Sequence, residues 1–268
     1  MSAGAWDGHA HVIGDPARFP FWTGRGYTPQ TAPLEAYLAM LDHHGLAHGV
    51  LVQPSVYGHD NRCLLDALDR AGGRLFGIVA PPPDATPHDL EAMHQRGVRG
   101  VRCNLINPGG LPPDTIAGWQ PVLRALGWHV ELHLAVEETP DLAGLVARFG
   151  VPVAIDHMGR PAPARVDPAS PYLRSLIDLV RDDACLVKLS APYRLSNQAP
   201  PWRDVTPLAQ ALVAANPRAC VWGSDWPHVD TAAPVRMDDL FEALDAWCPD
   251  NETRAIVTAG AAPALFGG

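Results

Sequence analysis

Several features that identify particular classes of protein are missing from this sequence. No apolar run approaches the roughly 18 residues of a membrane-spanning helix, and the N-terminus carries neither a basic region nor an apolar core for export. No block of basic residues occurs, and the net charge is −9. Neither a nucleic acid nor a membrane surface is therefore expected as a partner, and we predict a cytoplasmic protein.

Cysteine and lysine are also scarce. The five cysteines are scattered and include no C-x-x-C pair, which favours reduced thiols over a disulfide framework or a thiolate zinc site. Lys188 is the only lysine, whereas arginine occurs 19 times. A two-metal site bridged by a modified lysine therefore has only one residue available to build it.

Eight short apolar runs alternate with longer segments of helical period. The runs are AWDGHAHV, HGVLVQPS, LFGIVAP, GVRGVRCN, HVELHLA, VPVAIDH, CLVKLSAPY and ACVWGSDW. Five of the intervening segments end in a glycine that suits a helix C-terminus, namely Gly45, Gly72, Gly97, Gly127 and Gly150. This pattern predicts an α/β protein with one (β/α)8 TIM barrel domain over residues 1–268. An open doubly wound sheet is the alternative, but no glycine-rich phosphate loop follows the first run.

Polar residues cluster at the ends of these runs, where a barrel builds its active site. In "WDGHAHV", His9 and His11 stand two residues apart, so on a strand both side chains project to the same side. Later runs end in or near Ser55, Arg102, His133, His157, Arg160, Lys188, Arg194 and Asp225. Charged and imidazole groups are costly to bury without use. Their repetition on several strands therefore predicts a functional site.

The H-x-H pair, histidines on the fifth and sixth strands and an aspartate on the eighth resemble the amidohydrolase superfamily. The stretches "WDGHAHVIG", "GYTP", "VLVQPSVYGHDN", "GVRGVRCN", "DHMGR", "KLSAPYR" and "GSDWPH" resemble the branch that contains 2-pyrone-4,6-dicarboxylate lactonase and the sugar-acid lactonases. The resemblance covers most of the chain and implies a hydrolase that opens a carboxylated lactone. One departure is that "RCNLINPGG" has no second arginine after Arg102, which leaves a second carboxylate clamp unassigned.

Ester hydrolysis needs a base for water, a group that polarises the carbonyl and groups that fix the substrate. Asp225, at the end of strand eight, is the predicted base. His9, His11 and His157 are predicted to polarise the carbonyl, either directly or through a metal ion. Because arginine forks match carboxylates, the substrate is predicted to be a small anion. The residues predicted to bind it are Tyr27, Ser55, Tyr57, Arg102, Arg160 and Arg194.

The same histidines and aspartate predict a site for at most one divalent metal ion. The candidate ligands, a set that favours zinc, are His9, His11, His133, His157 and Asp225. No lysine lies where a carbamate bridge between two ions is normally placed, because Lys188 belongs to strand seven. Activity without a metal stays an alternative, since imidazole N–H groups can themselves donate hydrogen bonds to the lactone carbonyl.

Two other functions compete with lactone hydrolysis. A metal-dependent decarboxylase or hydratase of the same barrel group, acting on an unsaturated carboxylic acid, would share the histidines and the aspartate. A non-catalytic barrel used as a binding module would lack some of them, whereas all five expected positions are filled here. The sequence determines neither the identity and ring size of the lactone, nor the direction of the reaction, nor the oligomeric state.

Overall fold

The computed structural model describes residues 4–231, 233–260 and 265–266, and these form a (β/α)8 barrel as predicted. Eight parallel strands pair in chain order, each with the next. All eight predicted apolar runs contain a strand. The strands are β1 (Trp6–Ala10), β2 (His48–Val52), β3 (Leu75–Val79), β4 (Val98–Asn104), β5 (His129–His133), β6 (Val153–Ile155), β7 (Leu186–Leu189) and β8 (Cys220–Trp222).

Ten α-helices follow the strands, and none in the described part of the chain is long and apolar enough to cross a membrane. They are α1 (Leu34–His44), α2 (Arg62–Arg70), α3 (Pro87–Gln95), α4 (Pro113–Gly118), α5 (Gln120–Ala125), α6 (Leu142–Phe149), α7 (Pro171–Arg181), α8 (Thr206–Ala215), α9 (Met237–Trp247) and α10 (Asn251–Ala259). The segment between β4 and β5 divides into two short helices, α4 and α5. Pro121 lies in the first turn of α5, where its missing N–H costs no hydrogen bond.

Apolar side chains fill two separate layers. The larger layer lies between helices and strands, and α1 contributes Leu34, Tyr37 and Leu41 to it. A smaller cluster occupies the barrel interior and shares no residue with the larger layer. It includes Trp6, Val50 and Phe266. The predicted domain limits include residues 1–3, 261–264 and 267–268, which lie outside the described residues.

The barrel closes between its first and last strands. The backbone N–H of Asp225 donates to the carbonyl of His9 at 2.8 Å, and the N–H of His11 donates to the carbonyl of Trp226 at 2.7 Å. Gly223 makes this approach feasible, since a Cβ there would lie 2.7 Å from the backbone nitrogen of His9. We call these contacts, with those of Asp7 to Ser224 described below, the closing seam.

Candidate active site

A small cavity of about 40 Å³ opens at the carboxyl ends of the strands and is called the inner cavity here. Its lining unites nine residues that the sequence analysis selected: His11, Tyr27, Ser55, Arg102, His133, His157, Arg160, Arg194 and Asp225. His9 lies directly beneath and is fully buried. These residues come from seven of the eight strands or from the loops that follow them. They lie together because the carboxyl ends of all strands in a parallel barrel meet at one face.

His9, on β1, and His11, just after the strand, lie side by side, with ring centroids 5.1 Å apart. Nδ1 of His11 is 2.7 Å from the carbonyl oxygen of Val52. A carbonyl can only accept, so Nδ1 carries the hydrogen and Nε2 faces the site, 3.3 Å from Oδ1 of Asp225. Asp7 does not join them, because an irregularity in the β1–β2 register separates it from the H-x-H pair.

Asp7 instead ties the closing seam together. Its carboxylate accepts hydrogen bonds from the backbone N–H of Ser224 at 2.7 Å, from the Ser224 hydroxyl at 2.6 Å and from the hydroxyl of Tyr37 at 3.1 Å. Burial raises the pKa of Asp7 to about 6, although these donors oppose the rise. The role of Asp7 is therefore structural.

Strained backbone in two loops aims several of the site's side chains. Six non-glycine residues after β6 and β8 have positive φ: His157, Met158, Arg160, Asp225, His228 and Asp230. Each such residue costs on the order of 1 kcal/mol or more, and clusters of them are typical of functional sites. The left-handed turn after β6 brings His157 and Arg160 to the same cavity.

The two carboxylate oxygens of Asp225 have different surroundings. Oδ2 accepts a hydrogen bond of 2.5 Å from the Tyr193 hydroxyl and one of 3.2 Å from Nε of Arg194. Oδ1 is buried and has no hydrogen-bond partner among the described residues. Burial by itself raises the pKa of Asp225, but His157, Arg194 and His11 outweigh it and hold that pKa well below its ordinary value. Asp225 is thus an ionised carboxylate with one oxygen free.

The buried imidazoles of His9, His157 and His133 are neutral. Burial lowers the pKa of His9, takes that of His157 well below its usual range and takes that of His133 to about 4. Nε2 of His9 is buried without a hydrogen-bond partner and lies 3.7 Å from Oδ1 of Asp225. One ligand atom from each of His9, His157 and Asp225 lies within 4.8 Å of the others. Two unpartnered buried atoms that face each other across this gap fit a cation between them.

His133 belongs to a different group from the one assumed in the predicted ligand set. Its Nδ1 lies 3.4 Å from Oδ2 of Asp156, which also accepts a 3.2 Å hydrogen bond from Arg102. Among the described residues, a ligand atom of His133 lies within 4.8 Å of ligand atoms of Asp156 and His157, whereas His9 and Asp225 form a separate group with His157. His133 therefore shares a buried network with Arg102 and does not complete the set around Asp225.

A fully buried ion pair lies beneath the histidines. The ammonium group of Lys188, on β7, donates to Oε1 of Glu131, on β5, and both side chains have no exposed surface. Nζ of Lys188 also lies 3.4 Å from Nδ1 of His9. The only lysine is thus committed to a carboxylate and is not available to bridge two metal ions.

The three predicted substrate-binding arginines differ in what their guanidinium groups already bind. Arg102 is paired with Asp156 and also donates to the carbonyl of Gln53, while Arg194 is paired with Asp225. Arg160 makes no side-chain hydrogen bond or ion pair within the described chain, and its buried Nε is without a partner. Arg160 is therefore the one of the three without an ion-pair partner among the described residues, and the carboxylate of Asp230 lines the same cavity.

Tyr57 is the one predicted substrate-binding residue outside the lining of the inner cavity, and several residues in that lining were not predicted. Tyr57 does not line the inner cavity, because its hydroxyl accepts a hydrogen bond from the backbone N–H of Gly14 and its ring packs against Phe21. Asn107 and Asp230 line the cavity without having been predicted, and no sequence signal marks them. The Tyr193 contact with Asp225 was also missed, although "APYR" follows the seventh strand.

The amidohydrolase family model matches residues 6–268. The chain belongs to the amidohydrolase family. It is 37% identical to a 4-sulfomuconolactone hydrolase of Rhizobium radiobacter, with 98% of this chain and 90% of that protein aligned. It is 33% identical to a 2-pyrone-4,6-dicarboxylate hydrolase of Comamonas testosteroni over 90% and 82% of the two chains. A structure of a Pseudomonas putida protein described as a 2-pyrone-4,6-dicarboxylic acid hydrolase has a TM-score of 0.85 and 36% identity, with 100% and 98% covered. This amidohydrolase thus shares its fold and most of its length with lactone hydrolases.

Proposed function

We propose that this amidohydrolase opens a lactone that carries an anionic substituent, by attack of water on the ring carbonyl. The observation that carries the proposal is the buried, ionised Asp225, whose Oδ2 is held by Tyr193 and Arg194 while Oδ1 stays free. A carboxylate arranged in this way is fixed in orientation and can still accept a proton. The lactone hydrolases that align over most of the chain support the same activity over decarboxylation, hydration or a purely binding role.

The proposed reaction uses Asp225 to carry one proton of the attacking water. Oδ1 of Asp225 takes that proton as the oxygen of the water attacks the ester carbonyl carbon. The ring C–O bond then breaks, and the same proton passes from Asp225 to the departing ring oxygen. The products are a hydroxyl or enol group and a carboxylic acid on one open chain, and the acid releases the second proton of the water to solvent to become a carboxylate. Because His157 lines the cavity beside Asp225, it faces the carbonyl oxygen on which negative charge develops, whereas Nε2 of His11 carries no hydrogen and would act there only through a bound cation.

We further propose that one divalent ion, zinc by its ligand chemistry, is held by His9, His157 and Asp225, with Nε2 of His11 adjacent. The neutral imidazoles and the two facing unpartnered atoms fit such an ion. When bound, it would act as a Lewis acid toward the lactone carbonyl. The hydrogen bond from His11 to Val52 already fixes the ring orientation that this arrangement needs.

Arg160 is the proposed anchor for the anionic substituent. Arg102 and Arg194 are each compensated by a buried aspartate, so they add less to the binding of an anion. The enzyme is further proposed to act in the cytoplasm on small molecules, which its five free cysteines support.

The test compares 2-pyrone-6-carboxylate with unsubstituted 2-pyrone, with hydrolysis followed by the loss of ring absorbance. Arg160→Ala should raise KM for the carboxylate about 30-fold or more and leave KM for the neutral pyrone within a few-fold. Arg165→Ala removes an exposed arginine outside the cavity and serves as the matched control. Equal changes for both pyrones would reject Arg160 as the anchor, and no hydrolysis of any carboxylated lactone would reject the function.

A further inference from the structure

A second, larger cavity adjoins the inner one. Its volume is about 500 Å³, which is within the range of small-molecule sites, whereas the volume of the inner cavity is about 40 Å³. The two cavities share Arg160, Arg194 and Asp230, so they are neighbours across these side chains. We call the larger one the outer cavity. No step of the proposed reaction uses it.

The walls of the outer cavity are mainly apolar. Trp202 and Tyr193 supply aromatic surface, and Pro200, Pro234 and Val235 supply aliphatic surface. Trp202 is buried, so its position in the wall is fixed by packing. A concave apolar site with few polar groups at one end is typical of a ligand pocket. The polar end here is the boundary with the inner cavity, where Arg160 has no partner of its own within the described residues.

These observations define the chemistry of an occupant. Its anionic group lies at the boundary beside Arg160, and its apolar part extends outward along Trp202 and Tyr193. We infer that the outer cavity is a subsite for an apolar alkyl or aryl arm on the anionic lactone. This inference rests on the proposed function, since the same Arg160 anchors the anion, but it adds a substrate class that the reaction itself does not require.

Binding of unreactive acids tests the subsite without any turnover. The probes are 3-phenylpropionate and propionate, which share a carboxylate and differ by a phenyl ring, titrated by NMR against the wild-type protein. Burial of the ring should make 3-phenylpropionate bind at least about tenfold more tightly. Equal dissociation constants for the two acids would overturn the proposal.

Filling the outer cavity supplies the second arm of the experiment. Ala199→Trp places a large side chain in its wall, and Ala233→Trp does the same from the other side should the first variant not fold. Either variant should abolish the tenfold gain from the phenyl ring and leave propionate binding within about twofold. Ala36→Trp, on the exposed face of α1, is the matched control and should retain the gain. A gain that persists when the cavity is filled would contradict the subsite.

The outcome separates the subsite from the lactonase activity. Turnover of 2-pyrone-6-carboxylate by the wild-type protein tests the activity alone, because this substrate has no apolar arm. Turnover without any gain from the phenyl ring would reject only the subsite. A tenfold gain that Ala199→Trp removes, with no turnover of carboxylated lactones, would reject only the lactonase activity.

Discussion

The Tyr193 hydroxyl donates a hydrogen bond of 2.5 Å to Oδ2 of Asp225, and the other carboxylate oxygen, Oδ1, is buried without a hydrogen-bond partner and faces the histidines. Tyr193 is carried by the loop after β7 and Asp225 by the loop after β8, so two adjacent strands determine which oxygen is free. Burial, reinforced by the nearby Asp225 charge, raises the pKa of Tyr193 well above its ordinary value. The phenol therefore stays a donor throughout the range in which an esterase is assayed.

Asp225→Asn is expected to keep the fold and lower kcat by a factor on the order of 10²–10⁴, because an amide cannot accept the proton of water. Asp230→Asn is the matched control, since Asp230 is an exposed carboxylate that lines the same cavity. Steady-state kinetics on 2-pyrone-6-carboxylate and thermal unfolding of both variants provide the measurements. Turnover by Asp225→Asn within a few-fold of wild type would remove Asp225 from its proposed role.

Removal of metal ions is expected to inactivate the enzyme and to lower its unfolding temperature. The reason is that neutral His9 and His157 and ionised Asp225 would then face one another with no cation between them. The test is exhaustive dialysis against a chelator, with the metal content measured by elemental analysis. Activity and unfolding temperature are then compared before and after zinc is added back. Protein that contains no metal yet retains full activity would favour direct donation by the imidazoles, the alternative that the sequence left open.

Lys188→Met is expected to lower the free energy of unfolding by about 3–5 kcal/mol, because it leaves the Glu131 carboxylate buried and unpaired. Lys188→Met combined with Glu131→Leu should recover most of that loss, since no uncompensated charge then remains. Urea denaturation of wild type, both single variants and the double variant measures the coupling. Arg148→Ala breaks an exposed pair with Asp114 and should cost less than about 1 kcal/mol. Additive losses in the double variant would contradict the ion pair.

Asp7 gives the fold a pH dependence of a definite sign. Its folded-state pKa is about 6 against an ordinary value of 3.8, so the folded protein binds this proton more tightly than the unfolded chain does. The stabilising contribution is complete below pH 3.8 and is lost as the pH rises through 6. The stability of wild type relative to Asp7→Asn should therefore increase by about 2.5 kcal/mol from pH 7.5 to pH 4. A difference that does not vary with pH would show that Asp7 titrates normally.

The strand pattern was sufficient to predict the barrel and to bring His11, His157 and Asp225 into one cavity. Their positions follow from chain order and from strand alternation, both of which are visible in the sequence. The pairing of Arg102 with Asp156 was not predictable, because it spans 54 residues and depends on how side chains cross the barrel interior. The contact that Tyr57 makes was not predictable, for a local reason. It follows β2 in a short 3-10 turn that directs its hydroxyl to Gly14.

The closing seam joins residues that are far apart along the chain. The H-x-H pair is synthesised more than 200 residues before Asp225, whose backbone N–H then donates to the carbonyl of His9. A chain that ends before β8 therefore lacks Asp225, the proposed base, and leaves the edge of β1 uncovered. The last strand of the barrel thus supplies the proposed base and covers that edge in the same folding step.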